Sequence, residues 1–197
     1  MQKAYLAGSV FTGNEMLDQR AVLVEDHIIA GIVERSGIPS QYTIADHPDC
    51  LLAPAFIDLQ LYGGNGKLFA HSLDIASIEA TYAYCLSGGC THFMITMATN
   101  SIENFIKGIA VAGEYMASGK KGLLGIHLEG PYINVKKKGA HIEQFIKKPT
   151  REEVLMLLEK GKDVFKMITL APEQCSDDII QLLMDQGVLV SAGHSDA

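Results

Sequence analysis

The stretch LLGIHLEGP at residues 123–131 decides the predicted fold. Its apolar run over 123–128 has the length of a β-strand, and Gly130-Pro131 ends that strand. Helical segments are predicted on both sides of it, at 101–118 and 150–160. A strand between two helices is the repeating unit of a sheet whose strands run parallel.

The same alternation continues over most of the chain. Predicted strands occur at 55–61, 91–97, 123–128, 164–170 and 188–192. Predicted helices occur at 74–87, 101–118, 150–160 and from Ser176 to near Gly187. Thr150, followed three residues later by Glu153, predicts a capping box in which each side chain satisfies a free backbone N–H at the start of a helix.

A doubly wound open sheet and a (β/α)8 barrel both accommodate five such units. No G-x-G-x-x-G follows the first strand and no G-x-x-x-x-G-K-[ST] occurs, which weakens the nucleotide-binding form of the open sheet. A complete barrel usually takes about 250 residues, whereas about 145 of the 197 follow residue 50. We therefore expect an α/β fold in which 51–197 form the first part of a (β/α)8 barrel, incomplete at about five βα units. Because the chain stops directly after a predicted strand, we expect a break within the barrel.

Residues 1–50 have a different pattern and are predicted to form β structure. Two short apolar runs, at 21–24 and 28–33, flank three polar residues, which is typical of a β-hairpin. The turn residues at 36–40 then interrupt the chain. We expect a small N-terminal β unit, 1–50, that is part of a β-sandwich-like domain.

The composition argues against several classes of protein. Hydrophobic residues make up 48% and charged residues 20% of the chain, as in ordinary globular domains. The 16 basic and 23 acidic residues give a net charge of −7, so no surface for nucleic acid or an anionic membrane is expected. No apolar stretch approaches the roughly 20 residues that cross a bilayer, and the start lacks the apolar core of a signal peptide. We expect a cytoplasmic protein with reduced cysteines.

The most informative candidate residues lie at the end of the strand predicted at 123–128. His127 and Glu129 are two residues apart and therefore point to the same face of a strand. A carboxylate at the carboxyl end of a barrel strand is well placed to bind a cation. A solvated glutamate at a strand end would look the same in the sequence, so both interpretations stay open.

A second candidate, His194, follows the last predicted strand. Neutral imidazole is the commonest ligand of transition metals, although a lone histidine at a strand end also serves as an ordinary hydrogen-bonding group. The parallel sheet is expected to place Glu129 and His194 at the same end of two neighbouring strands. A mixed set of histidine and carboxylate ligands with a free position suits a catalytic zinc ion.

The loop after the central strand carries further polar residues. Lys136, Lys137 and Lys138 precede Ala140 and His141, and loops at this edge of a barrel normally bind substrate. His141 is a candidate substrate contact, and Ala140 offers a backbone group. A surface histidine and a solvated lysine loop are the alternatives.

On the first barrel strand, Gln60 and Tyr62 share a face. Neither is a good zinc ligand. We interpret both, with His127, as possible lining of the site, and Tyr62 as a packing or substrate-stacking residue.

The motifs, taken in order, resemble those of a known family. PAFID at 54–58 resembles the PGFID opening of amidohydrolase-superfamily barrels, which commonly continue into H-x-H, two ligands of a metal pair. Gln60 and Tyr62 stand at those two positions, which resembles the single-metal branch of N-acetylglucosamine-6-phosphate deacetylases. That branch also carries HLEGP, KKGxH, TLAPE and SAGHS, which stand at 127–131, 137–141, 169–173 and 191–195. Tyr62 departs from the asparagine expected in close relatives.

The resemblance implies that Glu129 and His194 bind one divalent metal per subunit, zinc, and that Ala140 and His141 contact the sugar. It implies a third histidine ligand and a general-base aspartate beyond Ala197, so no catalytic residue is expected within the chain. The implied reaction of the complete, homodimeric enzyme is hydrolysis of the N-acetyl group of N-acetylglucosamine 6-phosphate, giving glucosamine 6-phosphate and acetate. The isolated chain is expected to be inactive and to bind metal weakly.

Two other functions stay open. Another amidohydrolase, such as a ring-opening or deaminating enzyme, is disfavoured by the absent H-x-H pair. A truncated, inactive protein that binds a sugar phosphate or serves in assembly is the non-enzyme alternative.

Overall fold

The computed structural model of the chain describes residues 1–197, which divide into two units, Met1–Ala55 and Phe56–Ala197. The first unit contains one sheet of four strands: β1 Gln2–Phe11, β2 Met16–Glu25, β3 Ile28–Glu34 and β4 Thr43–Leu52. Their order is β3-β2-β1-β4, with β4 parallel to β1 and the other pairs antiparallel. The hairpin predicted between the two apolar runs is confirmed as the β2–β3 pair. Its turn residues, Asp26 and His27, both have positive φ angles, as tight hairpin turns require.

The second unit alternates strands and helices. Its strands are β5 Phe56–Leu61, β6 Gly63–Gly64, β7 Lys67–Leu68, β8 Cys90–Ala98, β9 Leu123–Glu129, β10 Phe165–Leu170 and β11 Leu189–Ala192. Its helices are α1 Phe69–Ser72, α2 Ile75–Ser87, α3 Ile102–Ala117, α4 Arg151–Lys160 and α5 Asp177–Asp185. Five strands form one parallel sheet in the order β11-β10-β9-β8-β5, and β6 and β7 form a separate small hairpin. The α/β class and the parallel sheet are confirmed, and this sheet is compatible with part of a (β/α)8 barrel.

Side-chain caps define where the long helices begin. Asp74 and Ser101 accept hydrogen bonds from backbone N–H groups in the first turns of α2 and α3. Thr150 caps α4 by accepting from the Glu153 N–H at 3.3 Å. The second half of the predicted capping box is not formed. The Glu153 carboxylate instead accepts from the buried Tyr132 hydroxyl at 2.7 Å, because a buried phenol needs an acceptor.

The core of the second unit lies between the parallel sheet and its helices. Residues of β8 that are two apart, among them Phe93 and Ile95, are fully buried, as are residues of α3 at helical spacing such as Phe105 and Ile109. Nearly every residue of β9 is buried, as expected for the middle strand of a parallel sheet. None of the helices has the length and apolar character that crossing a membrane requires.

Truncation of a core aromatic residue tests this packing. We expect Phe105→Ala to lower the free energy of unfolding of the second unit by about 3–5 kcal/mol, because it removes a fully buried ring and leaves a cavity. The same truncation at Phe56, which is 71% exposed, is the matched control and is expected to cost less than about 1 kcal/mol. Urea unfolding followed by circular dichroism measures both, and equal losses would contradict the assigned core.

Candidate metal centre

Three potential metal ligands meet at the carboxyl ends of the parallel strands. Glu129 is the last residue of β9, His141 lies in the following loop, and His194 follows β11. One ligand atom of each lies within 4.8 Å of the other two. His194 Nε2 is 3.1 Å from Glu129 Oε1, and His141 Nε2 is 3.5 Å from Glu129 Oε2. Glu129 and His141 are only 4% and 8% exposed, whereas His194 is half-buried.

The order of the strands explains how two of these ligands meet. The prediction that Glu129 and His194 lie on neighbouring strands is wrong, because β10 separates β9 from β11. Thr169 of β10 pairs with Glu129. Beyond β11, the Gly193 N–H donates to the Leu170 carbonyl at 2.9 Å, which keeps this segment against the end of β10. His194 therefore reaches across the end of β10 to Glu129.

His194 is held through both its backbone and its ring. Its φ of 51° is left-handed, which is uncommon for a residue with a side chain. Its carbonyl accepts from the Asn134 N–H at 3.0 Å. The ring Nδ1 lies 2.8 Å from the Lys137 carbonyl, which can only accept, so Nδ1 carries a proton. In the neutral ring the lone pair is therefore on Nε2, which faces Glu129.

His141 is held by a hydroxyl group. The Thr99 Oγ1 lies 2.7 Å from His141 Nδ1 and 3.3 Å from the Glu129 carbonyl. The Thr99 N–H donates to the same Nδ1 at 3.3 Å. Together the hydroxyl and the N–H of Thr99 hold the ring so that its Nε2 faces Glu129 Oε2, at 3.5 Å.

The charges of this cluster favour a cation. Burial raises the pKa of Glu129, but hydrogen bonds from His141, Tyr62 and His194 more than offset that effect and lower the pKa to about 2. An ionised carboxylate thus faces one Nε2 atom of each histidine. His194 donates from Nε2 only as the protonated ring, because its Nδ1–H is already donated to the Lys137 carbonyl. A divalent cation bound among the three side chains would take the place of the Nε2 protons. Two histidines and one carboxylate match the three protein ligands of catalytic zinc sites.

Tyr62 and Gln60 contact the same carboxylate from the end of β5. Gln60 Nε2 lies 2.9 Å from Glu129 Oε1 and 2.8 Å from the Tyr62 hydroxyl, which itself donates to Glu129 Oε2. Burial, followed by the hydrogen bond to Glu129, raises the pKa of Tyr62 to about 12. Gln60 and Tyr62, predicted as possible lining of the site, are hydrogen-bond partners of the candidate ligand Glu129.

His127 lies outside the ligand cluster. Its Nδ1 is 3.1 Å from the Leu59 carbonyl and its Nε2 is 2.8 Å from Thr169 Oγ1. The carbonyl only accepts, so Nδ1 donates and Nε2 accepts from the hydroxyl. Burial lowers the pKa of His127, which favours the neutral ring. Its position is that of a fully buried histidine whose two ring nitrogens are both engaged.

The loop after β9 presents Ala140 to solvent, next to His141. The neighbouring lysines are paired: Lys136 and Lys137 with Asp196, at 2.9 and 3.3 Å, and Lys138 with a glutamate of the same loop, at 3.5 Å. The lysines therefore do not form a free basic patch. Substrate contacts by Ala140 and His141 stay predictions, and the structure adds a ligand role as a second possibility for His141.

Two residues that support the cluster were not identified as such from the sequence. Thr99 follows β8 and holds His141, and Glu173 follows β10. Glu173 accepts from the Asn134 amide at 2.9 Å, the Ser195 hydroxyl at 2.7 Å and the Asp196 N–H at 2.8 Å. It thereby ties the loops after β9 and β11 together. The one sequence signal for both is a polar residue close behind a predicted strand.

Comparison with known proteins identifies relatives of the whole chain. No protein-family model matches it. It is 31% identical to an N-acetylglucosamine-6-phosphate deacetylase of Haemophilus influenzae over 197 residues, which are 100% of this chain and 51% of that protein. It is 32% identical to an N-acetylgalactosamine-6-phosphate deacetylase of a Shewanella species over 193 residues, 95% of this chain and 48% of that protein. The chain spans about half the length of the curated relatives it matches.

A solved structure agrees with these relatives. The crystal structure of an N-acetylglucosamine-6-phosphate deacetylase from Pasteurella multocida superposes with a TM-score of 0.92 and 30% identity. The match covers 100% of this chain and 52% of that one. The fold of both units therefore occurs within a longer protein of known structure.

The lowered pKa of Glu129 leads to a pH test on the metal-free chain. Its folded pKa of about 2 lies below the ordinary 4.5, so its contribution to stability is present above about pH 4.5 and is lost as the pH falls toward 2. We expect Glu129→Gln to lose at most about 3 kcal/mol near pH 7 and to approach the wild type below pH 4.5. Urea unfolding in a chelator measures this, with the exposed Glu159→Gln as control. A difference that stays constant from pH 7 to pH 2.5 would contradict the assignment.

Proposed function

We propose, from the homology of this chain with the N-terminal half of N-acetylglucosamine-6-phosphate deacetylases, that it forms the metal-binding half of a deacetylase of amino-sugar 6-phosphates. The reaction proposed for the whole enzyme is hydrolysis of the N-acetyl amide of N-acetylglucosamine 6-phosphate to glucosamine 6-phosphate and acetate. The observation that carries the proposal is the cluster of Glu129, His141 and His194, whose ligand atoms lie within 4.8 Å of one another.

In this proposal Glu129 and His194 hold the cation, with His141 as third ligand or as a contact of the sugar. A bound zinc ion would supply polarisation of the amide carbonyl and a bound water with a pKa near about 7. The chain's own contribution is orientation. The Lys137 carbonyl and Thr99 orient the rings of the two histidines, so that both Nε2 atoms face Glu129.

Proton transfer needs a further group. The cluster's one carboxylate is assigned to the cation, and its histidines are ligands or substrate contacts, so we assign no general base within these residues. The family resemblance implies an aspartate as the general base, beyond Ala197 on a later strand of the longer relatives. It would take a proton from water and return it to the departing amine. We therefore propose the activity for a protein that contains both halves.

Three finer features belong to the same proposal. Zinc is proposed as the metal because two histidines and a carboxylate suit it. A homodimer and a cytoplasmic location are proposed from the resemblance to the deacetylases. The relatives act on two sugars that share the N-acetyl and phosphate groups, so the assay compares both.

Cation binding by the chain is the first test. We expect metal-free protein to bind one equivalent of cobalt(II), with the visible absorption of a low-coordinate site. His194→Ala and Glu129→Gln each remove a ligand and are expected to weaken binding more than about 100-fold, beyond the usual effect of losing an outer partner. His71→Ala, an exposed histidine of α1, is the control. Equal affinity of the His194 and His71 variants would contradict the site.

Acetate release is the second test. The chain is fused after Ala197 to the corresponding C-terminal half of the Haemophilus influenzae relative, and acetate is measured with the 6-phosphates of N-acetylglucosamine and N-acetylgalactosamine. We expect metal-dependent release by the fusion, no release by the chain alone, and a loss of more than about 100-fold in kcat/KM for Glu129→Gln. A folded fusion that binds one cation and releases no acetate from either sugar would count against the proposed function.

A further inference from the structure

Two side chains at the end of β5, Gln60 and Tyr62, contact Glu129 in addition to the two histidines. Gln60 Nε2 is 2.9 Å from Oε1, and the Tyr62 hydroxyl bonds to Oε2. The two donors are also joined to each other, because Gln60 Nε2 lies 2.8 Å from the Tyr62 hydroxyl. The three residues form a closed ring of hydrogen bonds.

The directions of these bonds follow from the groups present. The carboxylate can only accept, so the Gln60 amide presents its nitrogen and not its oxygen. One N–H of that amide goes to Glu129 and the other to the Tyr62 oxygen. The single proton of the Tyr62 hydroxyl is then left for Glu129 Oε2. Tyr62 therefore donates to the carboxylate, and no other acceptor among these three residues competes for its proton.

These two bonds occupy only part of the acceptor capacity of the carboxylate. An ionised carboxylate offers about four acceptor positions, two on each oxygen. Gln60 occupies one on Oε1 and Tyr62 one on Oε2. The remaining positions face His194 on Oε1 and His141 on Oε2. The free electron pairs of Glu129 therefore point to the place where the imidazole nitrogens also point.

We propose that Tyr62 is a positioning residue, whose hydroxyl sets the rotation of the Glu129 carboxylate so that its free electron pairs and the Nε2 atom of His194 meet at one cation. This inference rests on the cation site of the proposed function. It gives Tyr62 a role through Glu129 and not through direct contact with substrate. Stacking on a sugar would use the ring face, whereas this role uses the hydroxyl alone.

The test is Tyr62→Phe, which keeps the ring and removes the donor. Cobalt(II) affinity and the visible spectrum of the cobalt-loaded chain are measured beside Tyr84→Phe, a 52% exposed tyrosine. We expect a 10- to 100-fold weaker affinity, roughly the usual effect of losing a partner of a metal ligand. We also expect an altered spectrum, because the carboxylate is free to bind through both oxygens. Tyr84→Phe is expected to match the wild type.

The outcomes separate this inference from the proposed function. If the wild type binds no cobalt, the cation site itself fails. If the wild type binds cobalt and Tyr62→Phe has the same affinity and spectrum, or binds more tightly, the role of Tyr62 is overturned while the site stands. If Tyr62→Phe does not fold, Gln60→Met is tested in its place, because it removes the hydrogen bond from Gln60 to the Tyr62 hydroxyl that leaves the Tyr62 proton for Glu129. A loss of cobalt(II) affinity smaller than that expected for Tyr62→Phe supports the proposal, and an unchanged affinity overturns it.

Discussion

A single buried negative charge organises the second unit at the end of its sheet. Glu129 is 4% exposed, and an ionised carboxylate without partners is very costly to bury. Four side chains from three different parts of the chain meet that requirement: Gln60, Tyr62, His141 and His194. Each partner fixes the position of the segment that carries it. The geometry of the candidate site and the stability of the strand ends are thus two consequences of the same contacts.

The segment after β11 has a left-handed backbone at the residue that contacts this charge, His194. A left-handed backbone at a residue other than glycine costs about 1–3 kcal/mol, and His194 adopts one, with φ of 51°. The bonds to Asn134 and Lys137, together with the anchoring of Ser195 by Glu173, hold that conformation in place. A glycine at position 194 would remove the strain and the ligand together. The strained backbone therefore accompanies the one orientation in which the ring reaches Glu129.

The sequence predicted the repeating strands and helices of the second unit and missed the contacts that depend on its loops. The alternation of apolar runs with capped helices is local, and it predicted all five parallel strands and the positions of the longer helices. Glu129 and His194 could be assigned to the same edge because carboxyl ends of parallel strands share an edge. The expectation that they lie on neighbouring strands overlooked β10, although the strand predicted at 164–170 lies between theirs in the chain and consecutive strands of a (β/α)8 barrel lie side by side. The contact of His141 with Glu129 depends on a long loop and on the Thr99 hydroxyl, neither of which has a periodic signal. The Tyr62 contact depends on the rotation of two side chains, which spacing does not specify.

The groups that contact the Nδ1 atoms of the two histidines affect the net charge of the candidate site. Neither Nδ1 atom contacts a carboxylate: that of His194 faces the Lys137 carbonyl, and that of His141 faces the hydroxyl and the N–H of Thr99, all of them uncharged groups. The three candidate ligands consequently bring one negative charge in total. A divalent cation among them would leave that set of atoms with a surplus of one positive charge. A surplus of this sign, focused in a partly buried site, attracts anions and favours a ligand that carries its own negative group.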